Sequence, residues 1–140
     1  MTKLDEIVDM FDLLGDWDQR YQYLIELGEQ LQVMHEKFRT EENRVKGCMS
    51  QVWIRAAMED GCIKFYGDSD SSVIKGILAL LISLCDGLSA QQIQQLDMDE
   101  IFHRLGLDEH LSPNRHVGVY AMFDMMKQKA RQITTETATA

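Results

Sequence analysis

Apolar residues recur at helical spacing at the start of the chain, at Leu4, Ile7, Val8, Phe11 and Leu14, and predict an opening helix. Thr2 stands where an N-cap belongs, and Gly15 ends the element. Asp16 caps a second helix with Trp17, Tyr21, Leu24 and Ile25 on its apolar side, and Gly28 is expected to interrupt or end it. From Glu36 to Asn43 the chain is polar without a period, which reads as a loop. The period then changes to two. Val52, Ile54, Ala56 and Met58 alternate with Trp53, Arg55 and Ala57, and Ile63, Phe65 and Gly67 alternate with Lys64 and Tyr66. Glu59-Asp60-Gly61 between them is a turn signal, so the two strands should pair antiparallel, with Arg44 to Gly47 as a candidate third.

Helical spacing returns after Gly67-Asp68-Ser69-Asp70-Ser71-Ser72, a segment rich in caps. Val73, Ile77, Leu80, Leu81, Leu84 and Cys85 mark a strongly apolar helix that Gly87 stops. Ser89 starts a short helix holding Ile93 and Leu96, and Asp97 another with Ile101, Phe102 and Leu105, ending at Gly106. Ser112-Pro113 opens the last helix, because proline suits the first helical turn. That helix carries Val117, Val119, Tyr120, Met122, Phe123 and Met126 and closes on Lys127, Lys129 and Arg131. The predicted fold is α+β, a small antiparallel sheet of about three strands packed against several helices. A single domain is expected over residues 1–133, with a flexible C-terminal tail over 134–140.

Composition narrows the function classes. The 140 residues are 45% apolar, enough for an ordinary core without staples. Asp and Glu number 23 against 14 Lys and Arg, and the net charge of −9 argues against nucleic acid and against an anionic membrane surface. The N-terminus has no apolar signal core, and the longest apolar stretch, Gly76 to Cys85, is too short to span a bilayer. The three cysteines form no C-x-x-C pair and match no zinc spacing. The expectation is a soluble cytoplasmic protein with free thiols and no bound metal.

Candidate chemistry gathers at Cys48. It follows a glycine, Gly47, and two cations, Arg44 and Lys46, and precedes the polar Ser50 and Gln51. A turn exposes a thiol, and nearby cations favour its thiolate. From these residues alone a reactive thiol and a buried structural cysteine both stand. Cys62 opens a strand beside a turn, and Cys85 shares a stripe with Ile77, Leu81 and Leu84, so both read as packing. His35, His103, His110 and His116 show no metal-ligand spacing and read as surface residues. Gly67-Asp68-Ser69-Asp70-Ser71 lacks the glycines of a nucleotide loop and the closing glutamate of a calcium loop, which leaves a strand-to-helix turn.

The runs Val45-Lys46-Gly47-Cys48-Met49-Ser50-Gln51-Val52-Trp53, Phe65-Tyr66-Gly67-Asp68-Ser69-Asp70, Ile74-Lys75-Gly76, Leu105-Gly106-Leu107 and His110-Leu111-Ser112-Pro113-Asn114-Arg115, with Gly118 beyond, resemble the SufE family in order and spacing. Trp17 and the Tyr21 to Gly28 stretch resemble its N-terminal helices, so the likeness covers nearly the whole chain. The resemblance implies an α+β fold shared with IscU-type scaffolds. It implies a persulfide carrier rather than an enzyme, with no cofactor of its own. Its partner is a SufS-type cysteine desulfurase, which uses pyridoxal phosphate, and its sulfur goes on to a SufB/SufC/SufD-type cluster scaffold. Cys48 would accept the sulfur, in a monomer or homodimer, from a shallow apolar resting cavity. Gly47, Ser50, Gln51, Asp70 and Arg115 would support the loop and its cavity, Asp70 by holding the resting loop and Arg115 by lying close to it. Met49 and Val117 depart from the family, which usually has polar residues there. The rival readings are an iron–sulfur scaffold, which needs several convergent ligands, and an independent thiol enzyme using Cys48.

Overall fold

The computed structural model describes the backbone of residues 2–139 and the side chains of residues 2–134. Helix α1 (Lys3–Leu14) opens on a capping box in which Asp5 N–H donates to Thr2 Oγ1 at 3.1 Å and Thr2 N–H donates to Asp5 Oδ2 at 3.0 Å. Helix α2 (Trp17–Glu29) starts where Asp16 Oδ1 accepts from Gln19 N–H at 2.9 Å. A short 3₁₀ turn at Glu36–Phe38 interrupts the stretch read as loop. Strands β1 (Val52–Glu59) and β2 (Cys62–Ser69) form an antiparallel hairpin with Val52 opposite Ser69 and Glu59 opposite Cys62. Its two-residue turn, Asp60–Gly61, has positive φ at both positions, as tight hairpins require.

The remaining elements are helical: α3 (Ser72–Cys85), α4 (Ala90–Gln94), α5 (Met98–Leu105), α6 (Leu107–His110) and α7 (Pro113–Thr139). Ser71, Ser89 and Asp97 cap α3, α4 and α5 through their side chains. One face of the hairpin packs on α3 and α7. Val52, Ile54, Ile63 and Phe65 are buried there with Ile77, Leu78 and Leu81 of α3 and Val119, Met122, Phe123 and Met126 of α7. The α+β expectation holds, and no helix among the described residues is long and apolar enough to cross a membrane. The tail expected over 134–140 lies mostly outside the described side chains; the α7 backbone is helical to Thr139.

Three expectations change. The third strand is reduced to a single bridge between Arg44 and Trp53, flanked by Val45 N–H donating to Val52 O at 2.9 Å and Ile54 N–H donating to Asn43 O at 2.8 Å. Pairing stops there because residues 46–51 leave the sheet as a loop. Gly28 neither interrupts nor ends α2, which runs through it to Glu29. It is needed for close approach instead: a Cβ at 28 would lie 2.9 Å from Gly76 N, and a Cβ at 76 would run into Leu24 O. Only paired glycines let α2 and α3 come so near. Val117, expected on the apolar side of the last helix, instead faces solvent, because Val119, Met122, Phe123 and Met126 define the buried face.

Candidate functional site

Cys48 sits at the tip of the loop 46–51, and both ends of that loop are pinned. Val45, buried, closes the entry through its bond to Val52. At the exit, Gln51 N–H donates to Asp70 Oδ1 at 3.0 Å while Asp70 N–H donates back to Gln51 O at 3.2 Å. Asp70, which follows β2, therefore extends the ladder by one polar pairing and holds the loop. The base beneath is stiffened by Asp68, whose carboxylate pairs with Arg39 at 2.6 Å and Lys75 at 3.1 Å and accepts from Ser69 N–H at 2.8 Å. Arg39 also lies over the Trp53 ring at 5.0 Å. Burial raises the Asp68 pKa, but the Lys75, Ser69 and Arg39 bonds outweigh it and leave the carboxyl below its ordinary value.

The tip folds back onto α7. Gly47 turns the chain with φ +87°, a backbone that other residues rarely adopt, and packs towards Ala121. Cys48 then lies directly on Gly118. A Cβ at position 118 would meet Cys48 Sγ at 2.7 Å and Cys48 Cβ at 3.4 Å, so the sulfur occupies space that any other residue would fill. The thiol is half-buried against the core cluster. Its pKa is raised, first by burial; the Ser50 backbone N–H pulls it down, and the charge of Asp70 pushes it up.

The cations read as thiolate stabilisers do not serve the sulfur. Lys46 bonds to Glu41, and Arg44 reaches the same carboxylate at 3.9 Å. The resting thiol is thus shielded and protonated rather than activated. Of the supporting residues, Gly47, Ser50, Gln51 and Asp70 come together around Cys48. Arg115 does not join them by a bond: it is exposed one turn before Gly118, and among the described residues no hydrogen bond or ion pair ties its side chain to the loop. In the sequence Gly118 stands only as the last residue of a longer motif, with no task of its own. Its signal is a glycine inside a helix, a position that costs about 1 kcal/mol relative to alanine and therefore calls for a reason.

The other thiols and the histidines stand apart. Burial pushes the Cys85 thiol up to about 12, and Cys62 is exposed at the hairpin turn. His110 stacks on Trp17 at 3.8 Å and His116 on Tyr120 at 4.8 Å. His103 faces Asp108 at 3.2 Å, and His35 accepts from Lys37 N–H. No hydrogen bond or ion pair among the described residues links any of the four histidines to the Cys48 loop. Among the described residues, no three His, Cys, Asp or Glu side chains are grouped as metal ligands would be.

The raised pKa makes a pH prediction. Alkylation follows the thiolate fraction, so the midpoint of Cys48 modification by iodoacetamide should lie above about pH 8.5, where a free cysteine is half ionised. Asp70→Asn removes a negative charge but keeps an acceptor for Gln51 N–H, and the profile should move to lower pH. Peptide mapping of alkylated protein across pH checks both; coincident Cys48 profiles for the two proteins would refute the role of Asp70.

Fold and geometry define a small α+β protein whose candidate reactive group is one shielded thiol on a loop. Residues 5–130 match the SufE family, described as an Fe-S metabolism associated domain. The chain is 41% identical over 134 residues to an uncharacterized SufE-like protein of Rhizobium meliloti (strain 1021), covering 93% of this chain and 96% of that one. It is 40% identical over 135 residues to an uncharacterized SufE-like protein of Rhizobium etli, covering 94% of this chain and 91% of that one. A solution structure of a hypothetical protein from Thermus thermophilus shares the fold with a TM-score of 0.78 at 22% identity, covering 96% of this chain and 99% of that one. The chain belongs to the SufE family, whose general role is sulfur transfer in iron–sulfur metabolism, in association with a cysteine desulfurase.

Proposed function

We propose that this protein accepts sulfur on Cys48 from a SufS-type cysteine desulfurase, stimulates that enzyme by removing its product, and passes the sulfur to a SufB/SufC/SufD-type cluster scaffold in the cytoplasm. It works as a carrier and activator with no cofactor of its own, while pyridoxal phosphate stays on the desulfurase. One observation carries the reading: Cys48 stands at the tip of a loop fixed at both ends, with its sulfur resting on Gly118. A tip can enter another protein's active site, and fixed ends return it to the same seat.

The transfer balances without an oxidant. Cys48 gives up its proton and its Sγ attacks the outer sulfur of the donor's persulfide. The new Sγ–S bond forms as the donor's S–S bond breaks, and the donor leaves as a thiolate. The raised pKa supports a thiol that is idle until docking changes its surroundings. The test is to incubate the protein with a SufS-type desulfurase and cysteine, then weigh it intact without reductant. One added sulfur mapped to Cys48 is the expected result. No added sulfur beside an active, matched desulfurase would overturn the reading.

A further inference from the structure

Among the described residues, four large apolar side chains are the most exposed of their kind: Val33 at 89%, Met49 at 81%, Leu13 at 80% and Val117 at 60%. Exposed apolar residues scattered singly need no explanation. Met49 and Val117 are not scattered. Met49 follows Cys48 and Val117 precedes Gly118, and Cys48 and Gly118 are the two residues that meet at the thiol. Two separate backbone segments thus carry an exposed apolar residue directly beside each of the two residues that meet at the thiol. The chain as a whole is strongly acidic, with 23 acidic residues against 14 basic ones.

We propose that Met49 and Val117 form an apolar rim around Cys48 that selects the sulfur donor, fitting a desulfurase whose persulfide is itself ringed by apolar side chains. The inference rests on the sulfur-transfer reading. The incoming sulfur must reach Cys48 Sγ, so whatever delivers it covers both rim residues. Burying them removes apolar surface from water and gives affinity at the place where the sulfurs meet. It also excludes water from the exchanging thiolate and persulfide. Met49 has a flexible thioether chain that adapts to an irregular surface, whereas β-branched Val117, on α7, presents a fixed one. A donor with a polar collar would have to leave its own groups unpaired against this rim, which is how such a surface discriminates.

Met49→Ser, Val117→Ser and the double variant test the rim, with Leu13→Ser as an equally exposed apolar change on α1. The readout is desulfurase activity against carrier concentration. Serine at both positions removes apolar contact worth about 1.4 kcal/mol or more, so the half-saturating concentration should rise about tenfold, with little change in maximal rate. Leu13→Ser should match wild type. An unchanged half-saturating concentration in the double variant, or a loss confined to the maximal rate, would overturn the rim. Failure of the wild type to take sulfur or to stimulate an active, matched desulfurase would instead overturn the transfer reading and the rim with it.

Discussion

Cys48→Ser is expected to return a stimulated desulfurase to its basal rate and to leave the protein with no added sulfur. A serine hydroxyl is slightly smaller than the thiol it replaces, so the seat on Gly118 and the bonds between Gln51 and Asp70 survive the change. What is lost is the nucleophile, because a hydroxyl is scarcely ionised at neutral pH and attacks a persulfide poorly. The variant should therefore still dock. Mixed with wild type, it should compete for the desulfurase and depress the stimulated rate in proportion to its excess. Cys62→Ser should behave as wild type, since Cys62 lies at the hairpin turn and not in the Cys48 loop. Full stimulation by Cys48→Ser would show that contact alone activates the desulfurase, and the carrier role would fall.

The parts of the fold that were legible are those fixed by neighbours in sequence. Thr2, Asp16, Ser71, Ser89 and Asp97 each cap the helix that follows, because a short side-chain oxygen serves an N–H two or three residues on. The hairpin was legible for the same reason, with period-two strands meeting at a turn that tolerates positive φ. What was not legible depends on residues far apart. Gly28 reads locally as a helix stop, yet its reason is Gly76 on another helix. Val117 reads as part of an apolar stripe, yet the stripe that packs lies two residues further along α7. The third strand was lost because Gly47 and Cys48 turn onto α7 instead of continuing along the sheet, which the residues from Arg44 to Gly47 do not reveal.

The candidate site shows the same division. Cys48 and the turn at Gly47 could be read from the chain, as could the residues that resemble the SufE family. The electrostatics could not. Arg44 and Lys46 are close to Cys48 in sequence, and proximity alone suggested a stabilised thiolate. The fold turns both towards Glu41, half-buries the thiol and places Asp70 near it, so burial first and Asp70 after it raise the pKa, opposite to the shift that sequence proximity implied. The residue on which the sulfur rests, Gly118, has no side chain to read.

That neighbour gives the second large effect. In Gly118→Ala the new Cβ would lie 2.7 Å from Cys48 Sγ, closer than such atoms approach in real structures. Position 118 cannot yield, because it belongs to α7 and is followed by the buried Val119, Met122 and Phe123. The thiol has to move: either Sγ rotates away or the loop lifts off the helix. Both routes take sulfur out of its buried seat, and burial is the largest cause of its raised pKa. The thiolate fraction at neutral pH rises, and iodoacetamide should modify Cys48 about three to ten times faster than in wild type. Cys62 in the same molecule supplies an internal reference whose rate should stay constant. A persulfide formed on the displaced thiol also loses its shelter, so added reductant should strip it faster while first acceptance from the desulfurase continues. An unchanged ratio of Cys48 to Cys62 alkylation would mean that the loop absorbs the extra methyl without exposing the sulfur, and that Gly118 does not set the resting state. A faster ratio with a shorter-lived persulfide would identify the bare helix surface at Gly118 as the device that keeps transferred sulfur from being lost between donor and acceptor.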